Sequence, residues 1–314
     1  MERNISEADW CRGNWGTLLL PINEDDSIDF ERLSVEIDVL IDAGVDGIYS
    51  NGTAGEFHTQ TEDEFYQVSE MLATKCKSRG MRFQIGASHP VPVVTLSRIA
   101  RTLHLEPAAY QVILPDWVSV GIEEACDFLK RVAESARPVP IVLYNPPHAK
   151  RVLEPEAYST LVKQIPELVS IKVLDGDIDW YERMRPVAAQ VAVFVPGHHL
   201  ASGVNHGVAS GAYSNVACIN PWAAQRWWQL MQIDMKEALG IEQCIQTFFA
   251  GYITPFAAQG FSNPALDKLL AAVGNWADIG TRLRWPYRWV SSIEVERIRK
   301  GAHRTLPGWF FETN

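Results

Sequence analysis

The chain has 314 residues, of which 47% are hydrophobic and 21% charged, a composition typical of a soluble globular protein. Its formal net charge is −10 and no run of lysine and arginine stands out, so neither nucleic acid nor an anionic membrane is an expected partner. No apolar run is long enough to span a bilayer, and the polar amino terminus lacks the apolar core of a signal peptide. Five scattered cysteines without metal-ligand or redox spacing favour a reducing, cytoplasmic location.

Short apolar segments alternate with longer amphipathic ones along the first two thirds of the chain. Apolar runs bounded by turn residues predict strands at 15–22, 45–50, 81–87, 109–115, 139–145, 168–174, 191–197 and 210–216. Apolar residues at helical period predict intervening helices at 29–44, 61–80, 92–106, 121–136, 154–165, 177–190 and 199–208. From Pro221 onward the alternation stops, and the sequence predicts helices separated by turns at Gly240, Gly260, Pro264 and Gly274.

This alternation predicts the fold class, an α/β protein with a (β/α)8 TIM barrel and a C-terminal helical extension. We assign residues 1–220 to the barrel with its catalytic site and residues 221–314 to the extension. The alternative is an open, doubly wound sheet, but no glycine-rich dinucleotide-binding turn follows the first strand.

Residues suited to chemistry fall at the ends of predicted strands, which in a barrel face the active site. Lys172 lies in the sixth strand among apolar neighbours, and Tyr144 is near the end of the fifth. The second strand leads into a turn, residues 52–56, in which two glycines expose backbone N–H groups and Thr53 adds a hydroxyl. Such a turn can bind a carboxylate. The eighth strand ends near residues 211–215.

An amine among apolar side chains loses its proton readily, because desolvation disfavours the ammonium form of Lys172. A neutral amine attacks ketones, and the resulting Schiff base accepts the electrons of a breaking bond. A tyrosine hydroxyl nearby can move protons in these steps, a role that we assign to Tyr144 with help from Thr53. The sequence therefore predicts imine chemistry on a 2-oxo acid whose carboxylate binds the turn at residues 52–55.

Four short motifs make the chain similar to a known family. They are GTAGE at 52–56, YNPP at 144–147, IKVLDGD at 171–177 and GAYSN at 211–215. In order and spacing they resemble the dihydrodipicolinate synthase and N-acetylneuraminate lyase family, from Gly16 to at least residue 268. The resemblance implies a barrel that is usually tetrameric, with Lys172 as Schiff-base lysine, Tyr144 as catalytic tyrosine and Thr53 as the first threonine of the turn. It implies pyruvate or a related 2-oxo acid as ligand, without metal or organic cofactor.

The chain departs from the family pattern at the substrate end of the site. The second threonine of the turn is Ala54, and Ala149 stands where true synthases carry an arginine five residues after the tyrosine. Those synthases borrow a tyrosine from a neighbouring subunit; here that stretch is LPDW, and Trp117 resembles the hydratase-aldolase branch. After the seventh strand the chain has PGHH, with His198 and His199. The resemblance thus indicates a divergent member with a rebuilt substrate pocket.

The residues predicted to bind substrate are Gly52, Ala54, Gly55, Trp117, His198, His199 and Tyr213. For Trp117 the alternative is a role in packing. The two adjacent histidines, with His206, could suggest a metal, but adjacent side chains point in different directions and no carboxylate has a recognisable ligand spacing. We therefore predict no metal, and the family resemblance implies no organic cofactor.

The predicted activity is that of a class I lyase that holds pyruvate or another 2-oxo acid on Lys172 and cleaves or forms a carbon–carbon bond. An aldolase or hydratase-aldolase is the first choice. A dehydratase of a 2-keto-3-deoxy sugar acid is second, and dihydrodipicolinate synthase proper is third. Rivals are a catalytically silent protein that binds a 2-oxo acid and a metal-dependent barrel aldolase. We expect a homotetramer or homodimer in the cytoplasm.

Overall fold

Eight parallel strands close into a barrel in the computed structural model, which describes residues 10–311. The strands pair in chain order, and the last one pairs with the first. Their bounds are Gly13–Thr17 (β1), Gly47–Ser50 (β2), Phe83–Gly86 (β3), Ala109–Ile113 (β4), Ile141–Tyr144 (β5), Leu168–Lys172 (β6), Ala192–Phe194 (β7) and Gly211–Tyr213 (β8). The predicted barrel is thus confirmed. Residues 1–9 of the polar amino terminus lie outside the described residues.

Helices cover the outside of the barrel between successive strands. Their bounds are Phe30–Asp42 (α1), Glu62–Arg79 (α2), Pro92–Thr102 (α3), Ile122–Ala136 (α4), Pro155–Gln164 (α5), Ile178–Ala188 (α6), Leu200–Asn205 (α7) and Asn215–Ile219 (α8). The ends of α2 follow from its sequence, because Thr61 and Glu64 form a capping box and Gly80 adopts the left-handed conformation after its last turn. No helix within the described range is long and apolar enough to cross a membrane.

The first strand is shorter than predicted and begins earlier. The prediction extended it through residues 15–22, but β1 ends at Thr17 and the chain then leaves the barrel. The N–H of Leu19 donates to the carboxylate of Glu36 at 2.7 Å, on helix α1. The N–H of Leu18 still donates to the carbonyl of Tyr49 on β2 at 2.9 Å, whereas Glu36 replaces a neighbouring strand as the partner of Leu19, so the sheet does not continue past Leu18.

The remaining helices form the extension. They are Pro221–Leu230 (α9), Met235–Phe248 (α10), Thr254–Ala258 (α11), Asn263–Gly274 (α12) and Ser292–Thr305 (α13), and a turn of π-helix at Phe249–Ile253 joins α10 to α11. The turn predicted at Gly240 is wrong, because this glycine lies inside α10. Isolated glycines are tolerated in helices at a cost of about 1 kcal/mol, and packing of the apolar face of α10 outweighs this cost.

Helix α12 packs closely against the barrel. A Cβ at Gly274 would overlap the backbone carbonyl of Ile219, and the indole N–H of Trp276 donates to the carbonyl of Cys218 at 2.8 Å. Helices α8 and α12 pack against each other across residue 220, and the division into units at that residue stays a prediction.

Aromatic side chains fill the barrel interior. Trp15, Tyr49, Phe194 and Tyr213 are fully or almost fully buried and pack on one another, with ring centroids of Tyr49 and Tyr213 5.0 Å apart. The Tyr213 hydroxyl donates to the side-chain oxygen of Gln84 at 2.6 Å, inside the barrel. These rings therefore form a rigid apolar floor beneath the carboxyl ends of the strands.

Candidate active site

Lys172 and Tyr144 are direct neighbours at the carboxyl ends of two paired strands. They are the last residues of β6 and β5, and the register places them opposite each other. The Lys172 amine lies 4.1 Å from the centroid of the Tyr144 ring. Because the strands are parallel, both side chains reach the same mouth of the barrel, as a shared site requires.

The amine of Lys172 is held above the aromatic floor. Its Nζ lies 5.7 Å from the ring centroid of Tyr49 and 5.2 Å from that of Tyr213. Burial lowers the pKa of Lys172 to about 8, and the negative charge of Asp267 opposes this shift. With a pKa of about 8, about a tenth of the amine is neutral at pH 7, far more than for a lysine in water. The site therefore provides a usable amine nucleophile.

The Tyr144 hydroxyl is paired with Thr53. Burial raises the pKa of the Tyr144 phenol, the charge of Asp267 adds to this shift, and a hydrogen bond with the Thr53 side chain opposes it. The phenol therefore stays protonated at neutral pH and can donate a proton or a hydrogen bond. Three of the residues predicted from sequence, Lys172, Tyr144 and Thr53, thus lie together.

The turn after β2 approaches this group with its backbone. Gly52 packs against the ring of Tyr49, where any Cβ would overlap the ring atoms. Within residues 10–311, the N–H groups of Thr53 and Ala54 donate no hydrogen bond to backbone or side chain, whereas those of Glu56 and Phe57 close the turn. Free N–H groups beside an amine suit a carboxylate ligand.

Two adjoining cavities open next to the lysine. The turn-side cavity, about 50 Å³, is bordered by Thr53 and Ala54, and the distal cavity, about 300 Å³, by His198 and mainly apolar side chains. Six residues line both: Tyr144, Lys172, Tyr213, Asn215, Asn263 and Asp267. A small anion and a longer tail can therefore occupy the two cavities on either side of the amine.

Apolar groups dominate the distal cavity. Its lining includes Val173, Leu174, Phe249, Ile253, Leu266 and Leu270. Lys172 and Asp267 are the charged side chains in this lining, and no arginine is among the described residues there. Such a lining suits an uncharged tail better than a second carboxylate.

A larger cavity of about 650 Å³ lies elsewhere, at the amino ends of the strands. Its lining includes Pro140, Val191 and Ala192, and it borders Trp10, the first described residue. Active sites of barrel enzymes lie at the opposite, carboxyl-terminal face. We therefore take the smaller cavities beside Lys172 as the candidate site.

The two adjacent histidines point to different surroundings. His198 lines the distal cavity, stacks on Phe249 with ring centroids 4.7 Å apart, and contacts the side chain of Asn215 at 2.8 Å. Burial lowers the pKa of His198 to about 4, so its ring is neutral. His199 instead contacts Asp175 at 3.2 Å and Gln246 at 3.2 Å, and it is not part of either lining.

Trp117 lies away from the candidate site in the single chain. It is 84% exposed, in the loop between β4 and α4, and the Lys150 amine lies 4.8 Å from its ring centroid. Ala54 and Tyr213 do line the turn-side cavity, and the Tyr213 hydroxyl bonds inside the barrel. Gly52 and Gly55 belong to the adjoining turn but are in neither lining; Gly52 packs against Tyr49 and Gly55 against the backbone of Leu18.

Sequence reasoning missed the residues that other helices bring to the site. Asn215 and Cys218 come from α8, and Asn263 and Asp267 from α12. The signal for Asp267 was present, because it is a charged residue in the apolar run of residues 264–273, much like Lys172 in its strand. Among the described residues no group of three or more metal-binding side chains clusters, and the lack of a metal stays a prediction.

A closed parallel barrel with a desolvated lysine and a tyrosine side by side at its mouth defines the class of the protein as a (β/α)8 barrel with a candidate active site at its carboxyl-terminal face. The sequence model of the dihydrodipicolinate synthetase family matches residues 11–279. The chain belongs to this family of Schiff-base lyases and aldolases, which confirms the resemblance drawn from its motifs.

Relatives with assigned names differ in what they act on. The chain is 27% identical over 221 residues to N-acetylneuraminate lyase of Enterobacter sp. (strain 638), covering 69% of this chain and 73% of that one. It is 26% identical over 181 residues to trans-O-hydroxybenzylidenepyruvate hydratase-aldolase of Sphingobium xenophagum, covering 55% of each chain. The match thus spans little more than half of the hydratase-aldolase.

Solved structures share the fold over almost the whole chain. YagE, a prophage protein of the dihydrodipicolinic acid synthase family from E. coli K12 in complex with pyruvate, superposes with a TM-score of 0.81 at 20% identity, covering 94% of this chain and 98% of that one. N-acetylneuraminate lyase from Fusobacterium nucleatum has a TM-score of 0.81 at 19% identity, covering 95% and 100%.

Proposed function

We propose that this protein is a class I aldolase that forms a Schiff base between Lys172 and pyruvate or a related 2-oxo acid. The observation that carries the proposal is the pairing of Lys172 with Tyr144 at the mouth, with the amine 4.1 Å from the phenol ring. Membership of a family of Schiff-base lyases supports it.

The proposed reaction begins with binding of the 2-oxo acid, whose carboxylate accepts hydrogen bonds from the free N–H groups of Thr53 and Ala54. The neutral amine of Lys172 attacks the ketone carbon, and the carbinolamine loses water, with Tyr144 donating the proton to the leaving oxygen. The iminium that results draws the electrons of the adjacent carbon–carbon bond, and cleavage leaves an enamine of pyruvate. Protonation of the enamine and hydrolysis of the imine then release pyruvate and free Lys172.

The distal cavity supports an aldolase or hydratase-aldolase that acts on an uncharged, aromatic or hydroxylated tail. Leu174 and Phe249 offer apolar surface, and the neutral His198 ring offers a hydrogen-bonding group. The hydratase-aldolase among the relatives acts, by its name, on an aromatic pyruvate adduct. A dehydratase of a 2-keto-3-deoxy sugar acid remains the second candidate, because a hydroxylated tail fits the same polar groups.

The residues at positions 149–151 disfavour the activity of dihydrodipicolinate synthase proper. Ala149 provides no cation for a second carboxylate. Its basic neighbours are engaged elsewhere, since Lys150 donates to the carbonyl of Trp117 and Arg151 to that of Val120 at 2.8 Å. We expect negligible condensation of pyruvate with aspartate semialdehyde.

Borohydride reduction in the presence of pyruvate tests the proposal. An aldolase of this class yields a stable adduct, and peptide mapping should find it on Lys172 alone. A silent binding protein gives no adduct, and a metal-dependent aldolase turns over aldols without one and loses activity to a chelator. A screen of 2-oxo acid aldols, read by pyruvate release, then identifies the substrate.

A homotetramer or homodimer in the cytoplasm remains our expectation for its assembly and location.

Tyr144→Phe should lower turnover by roughly 10²–10⁴-fold, the usual contribution of a positioned proton transfer. The phenyl ring preserves the packing over Lys172, so the fold and the melting temperature should stay close to wild type. Steady-state kinetics with the best aldol from the screen, beside a thermal melt, measure both. Turnover near the wild-type value would leave Tyr144 with a packing role only.

His198→Ala should change the preference among aldol substrates by about tenfold, the equivalent of one hydrogen bond of ~1–1.5 kcal/mol. The matched variant is His199→Ala, whose ring lies outside the lining and should alter the preference less. The measurement is kcat/KM for hydroxylated and purely apolar aldols. Equal effects of the two variants would show that His198 does not contact the substrate tail.

A further inference from the structure

One ionisable side chain beside Lys172 has no part in the reaction described so far. Asp267 comes from α12, outside the eight-strand barrel, and lines both the turn-side and the distal cavity. It is thus positioned where the bond between the pyruvate half and the rest of a substrate would lie, next to the amine that holds the pyruvate half.

The fold itself makes no use of the Asp267 carboxylate. It has no hydrogen bond or ion pair with any side chain or backbone group of residues 10–311, and Lys172 acts on it only as a nearby charge. The other carboxylates buried behind the turn have partners: Glu36 accepts from Leu19, and Glu56 pairs with Lys268 at 2.5 Å. A carboxylate left free in a cavity is available to a bound molecule.

Its proton affinity fits this position. Burial raises the pKa of Asp267 to about 6, and the positive charge of Lys172 opposes the shift. At pH 7 Asp267 is therefore mostly ionised yet more basic than an ordinary aspartate, as a general base should be. The other titratable groups that face it are the Tyr144 phenol and the Cys218 thiol, and burial raises the pKa of both, so they stay protonated.

We propose that Asp267 is the general base for the second half of the substrate: it removes the hydroxyl proton of the aldol in cleavage and returns it to the aldehyde oxygen in condensation. This inference rests on the proposed imine chemistry at Lys172. As the O–H bond breaks, the carbon–oxygen bond becomes a carbonyl, and the adjacent carbon–carbon bond breaks. Its electron pair moves through the imine to give the neutral enamine, while Asp267 holds the proton as a neutral acid.

Tyr144 and Asp267 then serve different atoms. The protonated phenol donates at the carbinolamine oxygen, and the carboxylate accepts at the hydroxyl of the departing aldehyde. This division allows the two halves of the reaction to be measured separately. Exchange of the pyruvate methyl protons with deuterated water needs only the imine and enamine, whereas cleavage of an aldol also needs the base at the hydroxyl.

Asp267→Asn keeps the size and removes the charge. We expect borohydride trapping of pyruvate and methyl-proton exchange, followed by NMR, within about threefold of wild type. Cleavage of the aldol at saturation should fall by roughly 10²–10⁴-fold. Retained trapping shows that the variant is folded with an intact amine.

The pH dependence of kcat provides an independent readout. In wild type, kcat for cleavage should fall below pH 6, because protonated Asp267 cannot accept the hydroxyl proton. In Asp267→Asn, kcat should not show this decrease below pH 6. The matched control is Asp46→Asn, just before β2 at the opposite end of the barrel, where burial also raises the carboxyl pKa. This variant should keep the wild-type decrease of kcat below pH 6.

The outcomes separate this inference from the proposed function. If wild type neither traps pyruvate nor exchanges its methyl protons, the imine mechanism fails and this inference falls with it. If wild type does both and Asp267→Asn cleaves the aldol within tenfold of wild type, Asp267 is not the base. Loss of exchange as large as the loss of cleavage would place Asp267 in the pyruvate half and overturn the assignment to the hydroxyl.

Discussion

Lys172→Met will abolish covalent trapping of pyruvate by borohydride and reduce aldol cleavage by more than about 10⁴-fold, beyond the usual effect of losing a single proton-transfer group. The thioether side chain fills a similar volume above the aromatic floor but cannot form an imine. Mass spectrometry of the reduced protein and steady-state kinetics give the two readouts. The variant should fold normally, because methionine removes an amine whose burial is costly, as its lowered pKa indicates.

No other lysine in this region is suited to replace it. Lys268 is fully buried, paired with Glu56 at 2.5 Å, and donates to the carbonyl of Arg282 at 2.6 Å. Lys150 is exposed to solvent beside Trp117. Lys150→Met is therefore the matched control and should trap pyruvate like wild type. An adduct on Lys150 or Lys268 in the wild-type protein would refute the assignment of Lys172.

Lys268→Met should lower the free energy of unfolding by about 3–5 kcal/mol, the usual cost of leaving one member of a buried ion pair without its partner. Glu56 is 1% exposed, and the Lys268 amine is its partner from the helical extension. The backbone N–H of Arg284 also donates to Glu56, at 3.2 Å, so the pair fixes the end of the turn at residues 52–56 against two parts of the extension. Urea denaturation measures the change.

The control for this experiment is an exposed pair of the same chemistry. Lys77→Met breaks the contact of Lys77 with Glu106, whose side chains are 43% and 79% exposed, and should change the free energy of unfolding much less than Lys268→Met does, because solvent screens exposed charges. Adding Glu56→Gln to Lys268→Met should recover part of the loss, because the uncompensated buried charge disappears. A loss for Lys268→Met as small as that for Lys77→Met would mean that the buried pair stabilises little.

The sequence was sufficient for the barrel and for the pair at its mouth. Period and turn residues define the strands, and parallel strands bring their carboxyl ends together, so Tyr144 and Lys172 meet without any further information. The end of β1 was not predictable, because the group that satisfies Leu19 is Glu36, a side chain from the next helix. The local sequence pattern does not reveal a contact with a side chain from another element.

The remaining errors also concern contacts between segments distant in sequence. Asp267 reaches the cavity only because α12 folds back over the barrel, which no periodicity reveals. The adjacent histidines looked equivalent in sequence, yet Asn215 and Phe249 hold one at the cavity while Asp175 binds the other. Neighbours in the chain thus differ according to what distant segments bring to them.

The helical extension lines much of the distal cavity, so the substrate preference of such a protein can change through this part of the chain. Residues 249–270 supply much of the lining of the distal cavity, while Lys172 and Tyr144, where we propose that the imine forms, lie on strands of the barrel. Mutations can therefore accumulate in one short gene segment and change which aldehyde is accepted without disturbing the covalent step. A directed-evolution library restricted to the cavity-facing codons of that segment, with the Asp267 codon kept, would explore new aldol products while Lys172 and Tyr144 stay unchanged.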